Sequence, residues 1–561
     1  MIKKEIEKLI EEALKSIGID KAGFDLEHPS ELELGDYSTN VALKFFGPAI
    51  KDSIPHERES FWNVWRPNLL GQFKTPKIFA QKIVDEIKKK ELPSSIAEVE
   101  VAGHGFINFK LSKKFYKDSL KEIVKKGDSY GQGNHAKGFK VMVEHTDPNP
   151  FKEFHIGHLL PNVIGSTIAR IFEWNGAEVR QANYQGDKGI HVAKAVWGML
   201  KGYSLKEAYV AGNKAYEDVP EAKQEIEEIN KLIYNESDPE VMRIYEEGKK
   251  ISLEEFEKIY KRLGTKFDYY FFESETAKIG EKIVRDNIGK VFEESDGAIV
   301  FKGEKVDSSL HTRVFINSQG IPTYEAKDLG NAKNKFETWE HDLSVVVTGN
   351  EIKDYFRVML AALGQIHTKI AGKIKHLPHG MLRLPTGKMS SRKGNVVTAE
   401  ELIDEVKGKV KGDEQVAIAA IKYMILRQSI GSDIVFDFDK SVSTEGDSGV
   451  YLQYAHARAS SILEKAGKKG DVKGERAEIH EVEKFLYRFP EIVERAGAEY
   501  APNYITTYLT ELAGAFNNFY AHEQVLTDDP ESAYRLAIVE AFKTVMKNGL
   551  TILGIPAPEK M

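Results

Sequence analysis

The chain has 561 residues, 41% of them apolar and 29% charged, an ordinary balance for a globular protein of several domains. It has no cysteine, which excludes disulfides and every Cys-based zinc or iron–sulfur site. Its net charge of −7 neither suggests nor excludes a nucleic-acid partner, which would need a local basic surface, and no apolar run approaches the roughly 20 residues that cross a bilayer, so a cytoplasmic setting without membrane contact is expected.

The chain opens on MIKKEIEKLIEEALKSIG. Acidic residues interrupt its basic start, so it reads as an amphipathic helix and not as a signal peptide. Ile6, Leu9, Ile10, Ala13, Leu14 and Ile17 fall on one face, and Gly18 ends it. GDYSTNVALKFF reads as a turn entering a second helix, and a Trp- and Pro-rich interval over residues 49–73 interrupts. A helix from Pro76 to about Lys90 follows, then IAEVEVAGHGFINFKL, whose alternation predicts two strands joined at Gly103–Gly105. Residues 1–125 are therefore expected to form an α+β domain.

FKVMVEHT reads as a strand of a parallel sheet, DPNPFKEF as a loop, and IGHLLPNVIGSTIARIFEWNG as a helix ending at Gly176. AEVRQANYQGDKG is the next strand and its loop. Strand–helix–strand opens a doubly wound, Rossmann-like sheet. Residues from about 200 to 300 are Lys/Glu-rich and read as a mostly helical insertion. The sheet is expected to resume with RVFINSQGIPTYEAKD and LSVVVTGNEIKDYFRVMLAALG. The expected catalytic domain spans 126–400. Beyond it, over 401–561, the pattern becomes almost wholly helical; Ile505, Tyr508, Leu509, Leu512, Ala513, Phe516 and Phe519 recur at helical period. An all-α bundle is expected there.

Two stretches carry chemistry. His155-Ile156-Gly157-His158 lies where a strand feeds a helix. Alone, the tetrapeptide fits a turn that happens to hold two histidines. A zinc pair on a helix is usually spaced i, i+4 with a carboxylate nearby; these are i, i+3 with no evident third ligand, and no protein-bound metal is expected. A helix N-terminus presents free N–H groups and a partial positive charge, which suits phosphate, and imidazole N–H donors would favour charge developing at an attacked phosphorus. The second stretch, Lys388-Met389-Ser390-Ser391-Arg392-Lys393-Gly394, has the composition of a clamp on a triphosphate, or of a solvated basic loop.

Together, in this order and context, HIGH and KMSSR resemble the signature pair of class I aminoacyl-tRNA synthetases. Longer stretches resemble the arginyl-tRNA synthetases over nearly the whole chain: GDYSTNVAL, GFINF, EHTDPNPFKEFHIGHL, GIPTYEAKD, YLQYAHARASSIL and the ending from YRLAIVEAFKTVMKNG onward. The resemblance implies an arginine–tRNA ligase that joins arginine to AMP with release of pyrophosphate, then transfers it to the terminal adenosine of tRNA(Arg). It implies an N-terminal domain at the tRNA D-loop, with Asn108 a candidate contact, and a C-terminal bundle at the anticodon, with Tyr454 and Arg458 candidates.

The resemblance also distributes roles. Tyr324 and Asp328, i, i+4 on a helical turn, would bind the guanidinium; a carboxylate can take that planar fork bidentately. Glu144 and Asn149 would hold the amino and carboxylate end of arginine. A further polar contact is expected at Asn350 or Glu351, undecided between them. His155, Gly157 and His158 would meet ATP, with Lys388, Met389, Ser390 and Ser391 closing over it. Lys152, Lys388 and Lys393 would neutralise phosphates, with Mg²⁺ arriving on ATP; the division of labour among the lysines stays open. The family often activates arginine only with tRNA bound. A monomer is expected.

Three departures stand out. Lys188 stands where the family often has Trp, Leu160-Pro161-Asn162 lacks a basic residue often found there, and the Trp-rich interval has no counterpart. The rivals are a synthetase for another amino acid, a non-catalytic RNA-binding paralogue and a nucleotidylyltransferase. A pocket carrying Tyr324 and Asp328 suits a cation, both signatures survive, and a nucleotidylyltransferase would not need the terminal domains.

Overall fold

The computed structural model describes residues 2–20, 23–46, 73–385, 397–468, 470–472 and 478–561. The Trp-rich interval therefore lies outside the described residues apart from Phe73, and so do Lys388, Met389, Ser390, Ser391 and Lys393. The chain forms two compact units that do not follow chain order. One comprises Met1–Gly127, Ala466–Tyr487 and Phe519–Ala541; the other comprises Asp128–Lys465, Arg488–Asn518 and Phe542–Met561.

In the first unit, helix Ile2–Ser16 buries Ile6, Ile10, Ala13 and Leu14, the stripe read from the sequence; Leu9 and Ile17 sit at its edge, partly buried. Gly18, at φ 87°, ends it in a left-handed turn that lets Ile19 N–H reach back to Leu14. Four strands, β1 (Leu26–Glu27), β2 (Tyr37–Thr39), β3 (Ile96–Ala102) and β4 (Phe106–Leu111), form an antiparallel sheet in the order β1-β2-β4-β3. Helix Pro76–Lys88, capped by the Thr75 hydroxyl and started by a proline in its first turn, packs Phe79, Ile83 and Val84 into the core with Val99, Ile107, Phe109 and Tyr116. The Asp36 carboxylate accepts from Leu111 N–H at 2.7 Å and from the Tyr116 hydroxyl, tying the sheet to the helix Lys113–Lys126.

The second unit is built on a parallel sheet of β5 (Lys140–Glu144), β6 (Glu178–Gln185), β7 (Tyr269–Phe272), β11 (Leu343–Gly349) and β12 (Ile374–His379), in the order β12-β11-β5-β6-β7. The order reverses direction at β5, and the crevice at such a switch point is where open α/β sheets bind ligands. Helix Ile156–Trp174 follows β5 and is buried along almost its whole length. The expectation of an insertion running to about residue 300 is corrected here: the helical run ends with helix Pro239–Leu263, and β7 is the fifth strand of the main sheet. Its aromatic sequence, Tyr269-Tyr270-Phe271-Phe272, suits a half-buried edge, but it stands inside Lys/Glu-rich surroundings that mask it. The insertion helices Ile190–Leu200, Pro220–Asn235 and Pro239–Leu263 pack around Val192, Val196, Ile226, Ile233, Val241 and Tyr245.

A second correction concerns RVFINS. It does not rejoin the main sheet; Thr312–Ile316 is β10 of a separate antiparallel sheet, β10-β9-β8, with β8 (Glu293–Ser295) and β9 (Ala298–Lys302). The alternation of an antiparallel strand and of a parallel edge strand look alike in one sequence. Beyond residue 398 the described chain is helical, apart from β14 (Ile434–Val435), which pairs with β13 (Leu382–Arg383). Helices Asn503–His522 and Ser532–Leu553 each contribute to both units. Phe516 stacks on Phe542 with ring centroids 3.7 Å apart, and Phe516 and Phe519 are both buried.

Candidate active site

β5 ends at Glu144, and the chain then turns sharply. Thr146 (φ 83°), Asp147 (φ 46°) and Phe151 (φ 69°) all adopt left-handed backbone, unusual for non-glycine residues and worst for a β-branched one. Side-chain bonds hold this turn. Thr146 Oγ1 accepts from Asn162 Nδ2 at 3.0 Å, Asp147 Oδ1 accepts from Tyr184 N–H at 2.8 Å, and Phe151 N–H donates to Ser252 Oγ at 2.8 Å. Asn162 also accepts from Thr265 Oγ1 at 2.8 Å and is fully buried. One of the three residues that depart from the family pattern is thus a polar strut for the loop. Gly186 has no room for a side chain, because a Cβ would stand 2.2 Å from Asn149 Oδ1; the glycine lets the loop of β6 come against Asn149.

The turn delivers His155 to the N-cap of helix Ile156–Trp174. Its Nδ1 accepts from Gly157 N–H at 3.0 Å, and His158 Nδ1 faces His155 N–H at 3.4 Å. The two rings stack, centroids 3.8 Å apart. Burial, aided by the Lys152 charge, pushes His155 down to about 4, and burial holds His158 well below the usual imidazole range. Both rings are neutral near pH 7. A neutral ring whose Nδ1 accepts carries its proton on Nε2, so each offers one Nε2–H donor at a helix N-terminus.

The segment that follows residue 396 returns to this point. Ile156 N–H donates to Val397 O at 3.3 Å, Ala399 N–H donates to Phe154 O at 2.9 Å, and His155 and Thr398 form a β-bridge. The chain at Val397–Ala399 is therefore pinned to the first signature stretch. Lys152 lies with its ammonium 5.1 Å from the centre of the Tyr209 ring.

Across the crevice, helix Tyr324–Thr338 presents Tyr324 and Asp328 one turn apart, as the spacing predicts. Tyr324 is 58% exposed. Asp328 Oδ2 accepts from the Tyr355 hydroxyl at 2.6 Å. Burial pushes the Asp328 carboxyl up to about 7, with Glu144 and Glu273 adding to the rise. Glu144, on β5, is buried and engaged: Oε2 accepts from Asn331 Nδ2 at 2.8 Å and pairs with Lys335 Nζ at 2.8 Å. Asp147 is pushed well up by burial and by Glu144. Glu273, at the end of β7, pairs with Lys327 at 2.6 Å. Asp187, fully buried, accepts from Lys249 at 2.7 Å, Tyr245 at 3.0 Å and Ser274 Oγ at 2.7 Å. Among the described residues, Glu144, Asp147, Asp187, Glu273 and Asp328 are set against Lys249, Lys327 and Lys335, with the Lys152 charge also acting on Glu273. A crevice with that excess of carboxylate suits a ligand carrying more than one positive charge.

The structure brings Glu144, Asn149, Asp328, His155 and His158 to the carboxyl ends of the strands. Asn350 and Glu351 are exposed on a short turn after β11; Tyr355, four residues on, is the group that reaches Asp328. Sequence reading missed Tyr355, Lys335, Asn331 and Glu273. A tyrosine in a lysine-rich helix start gives no signal of its own, and the lysines read as solvated charge. Lys188, where the family often has Trp, is buried, paired with Glu236 at 3.1 Å and set 5.7 Å from the Tyr234 ring centre. Asn108 is 3% exposed and accepts from Ser38 Oγ at 2.7 Å. Tyr454 is exposed, with the Arg458 guanidinium 4.8 Å from its ring centre and Arg458 Nη1 on Asn517 Oδ1 at 2.7 Å. Among the described residues no His, Asp and Glu cluster could hold a metal ion, and no helix is long and apolar enough to cross a membrane.

Three family models match the chain: the arginyl tRNA synthetase N terminal domain over residues 4–111, the catalytic domain of tRNA synthetases class I (R) over residues 119–438, and the DALR anticodon binding domain over residues 452–561. The arginine–tRNA ligase of Lactococcus lactis subsp. lactis is 33% identical over 522 residues, covering 87% of this chain and 91% of its own. That of Halothermothrix orenii is 29% identical, covering 100% and 99%. The solved arginyl-tRNA synthetase of Thermus thermophilus matches over 100% of both chains with a TM-score of 0.78 at 24% identity, a likeness of fold.

Proposed function

The chain belongs to the class I arginyl-tRNA synthetase family and is an arginine–tRNA ligase, and on that footing we propose how its own residues divide the reaction. Asp328 takes the guanidinium of arginine bidentately, with Tyr324 lying over it and Tyr355 holding Oδ2. Glu144 and Asn149 receive the α-ammonium and carboxylate. The observation that carries this reading is the meeting of opposite chemistries at one crevice: carboxylates gathered from β5, the loops after β5 and β6, the end of β7 and Asp328, and two neutral imidazole N–H donors at a helix N-terminus.

The arginine carboxylate attacks the α-phosphorus of ATP, and pyrophosphate leaves. His155 and His158 donate from Nε2 to phosphate oxygens, Gly157 lets the nucleotide approach the backbone, and Lys152 lies on the phosphate side. Lys388 and Lys393 neutralise the β- and γ-phosphates, with Met389, Ser390 and Ser391 in the same clamp; Mg²⁺ enters as the counter-ion of ATP. The bond from Ala399 to Phe154 supports joint action of the two signatures, since it fixes the chain five residues after Gly394 to the residue before His155. Little covalent chemistry falls to the protein, whose contribution is positioning and charge stabilisation. A ribose hydroxyl of the terminal adenosine of tRNA(Arg) then attacks the arginyl carbonyl, and AMP leaves.

By function we divide the chain into residues 1–125 at the tRNA D-loop, 126–400 for catalysis and 401–561 at the anticodon; the family models carry the catalytic domain on to residue 438 and begin the anticodon-binding domain at residue 452. Tyr454 and Arg458, stacked on an exposed helix face, are the anticodon-side contacts. The protein works as a monomer in the cytoplasm. The test is arginine-dependent exchange of labelled pyrophosphate into ATP, with and without tRNA(Arg). Exchange that depends on arginine is expected, and its absence under both conditions with folded protein would overturn the site assignment.

A further inference from the structure

Helix Ile156–Trp174 opens at His155 and His158, and its far end is held by groups the reaction does not touch. Arg170, one turn from its C-terminus, donates from Nε to Ile552 O at 3.0 Å and from Nη2 to Ser166 Oγ at 3.2 Å. Lys422, on helix Glu414–Leu426 and 2% exposed, donates from Nζ to Gly554 O at 2.6 Å and to Leu263 O at 2.7 Å. These carbonyls end two helices, Pro239–Leu263 and Ser532–Leu553. The last carbonyls of a helix have no partner within it, and buried ones need donors from elsewhere. Burial, with the Arg170 charge adding, pushes the Lys422 amine well below its ordinary range; either protonation state keeps the two N–H donors it uses. Gly554 sits between the two side chains. Its φ of 65° is left-handed, and a Cβ would stand 2.2 Å from Arg170 Nη2 and 3.0 Å from Lys422 Nζ, so the turn needs glycine. The segment beyond is strapped to helix Gly449–Ala466: Gln453 Nε2 donates to Pro556 O at 2.8 Å, and His456 Nδ1 meets Pro558 O at 2.9 Å. All of these residues belong to the second unit.

A packed helix shifts as a rod. Ile156 and Arg170 are about 21 Å apart along the axis at 1.5 Å per residue, so a slip at Arg170 reaches the first turn. A misplacement of about 1 Å from a distant change can cost about 10²-fold in rate. The bond from Thr265 to Asn162 steadies the first half of the same helix, two residues past the Leu263 carbonyl that Lys422 holds. We propose that Arg170 and Lys422 are positioning residues for the ligase reaction: by docking the signature helix on the ends of helices Pro239–Leu263 and Ser532–Leu553, they set where His155 and His158 meet ATP. The proposal rests on reading His155 as the ATP end of the site.

The test uses full-length Lys422→Met, which removes the amine at similar volume, and Gly554→Ala, which deletes no donor and displaces the Arg170 guanidinium. Each is also combined with His155→Gln. Arginine-dependent exchange of labelled pyrophosphate is measured with tRNA(Arg) present, well below each variant's melting midpoint by circular dichroism. We expect each single variant to lower kcat by about 10–100-fold and to leave the KM for arginine within about twofold. Added to His155→Gln, each is expected to cost no more than about threefold, because groups that act through one another lose their effect together. A role confined to stability would lower the midpoint with kcat intact, or would multiply its full loss onto that of His155→Gln; either result overturns the proposal. If Lys422→Met does not fold, Gly554→Ala decides by the same two readouts. His155→Gln alone tests the reading beneath: native kcat there refutes the ATP assignment, whereas a loss there with native kcat in Lys422→Met and Gly554→Ala refutes only the proposal.

Discussion

Replacing Asp328 by Asn keeps the shape of the side chain and removes its charge. In the structure the carboxylate has one oxygen on the Tyr355 hydroxyl at 2.6 Å. Its surroundings, burial first and then Glu144 and Glu273, hold its carboxyl at about 7. Truncating one partner of a buried, hydrogen-bonded charge pair costs about 2–5 kcal/mol, and each 1.4 kcal/mol is about tenfold. Asp328→Asn is therefore expected to lower kcat/KM for arginine by roughly 30-fold to several thousand-fold, leaving the KM for ATP within about twofold. The same geometry sets a pH dependence. The guanidinium needs the carboxylate ionised, so bound arginine lowers the Asp328 pKa below its free value of about 7. Affinity is then full above pH 7 and falls as pH drops through 7, by about tenfold per unit once protonation dominates. Arginine titrations in the aminoacylation assay from pH 5.5 to 8.5 measure both effects. An Asp328→Asn enzyme with a near-native KM for arginine, or a native KM flat across that range, would refute the assignment of the guanidinium to this carboxylate.

His155→Gln and His158→Gln are each expected to lower kcat by about 10²–10³, the usual effect of losing one donor to a developing charge. Neither histidine should contribute an inflection between pH 5.5 and 8, because both are neutral throughout; a His-dependent inflection there in the native profile would contradict that. Lys335→Met leaves Glu144 buried beside Asn331 without its cation, and a loss of about 3–5 kcal/mol in urea unfolding is expected, largely recovered when Glu144→Gln is added. EDTA should abolish exchange, and Mg²⁺ should restore it, with no change in thermal midpoint, since the described residues offer no metal cluster; a lowered midpoint would reveal a structural ion.

Periodicity made the amphipathic first helix, the helix after His155 and the core faces of Phe516 and Phe519 legible, because each buries a stripe whose spacing is set by the backbone. The site was legible wherever a short motif fixed neighbours in sequence: Tyr324 with Asp328, His155 with His158. It was not legible where function depends on groups far apart in the chain. Lys335 meets Glu144 and Tyr355 meets Asp328 only because the sheet order sets β11 beside β5. The edge strand β7 was hidden because its neighbours in sequence are charged helices, while its partner Ala182–Gln185 lies far upstream. Lys327 and Lys335 carry the composition of surface residues and are both buried. Only a partner seen in space marks them as interior charges.

The left-handed backbone at Thr146, Asp147 and Phe151 bears on when the enzyme becomes ordered. Each such residue stores about 1–3 kcal/mol that the neighbouring bonds must offset. That cost is incurred once, as the chain folds, and not at each encounter with arginine. The substrate therefore arrives at a sprung clasp already closed to its working shape, and its binding energy remains for the reaction itself. Cutting a strut such as Asn162 would return the ordering step to every catalytic cycle, so an unstrained version of this turn would be a more relaxed protein and a poorer enzyme.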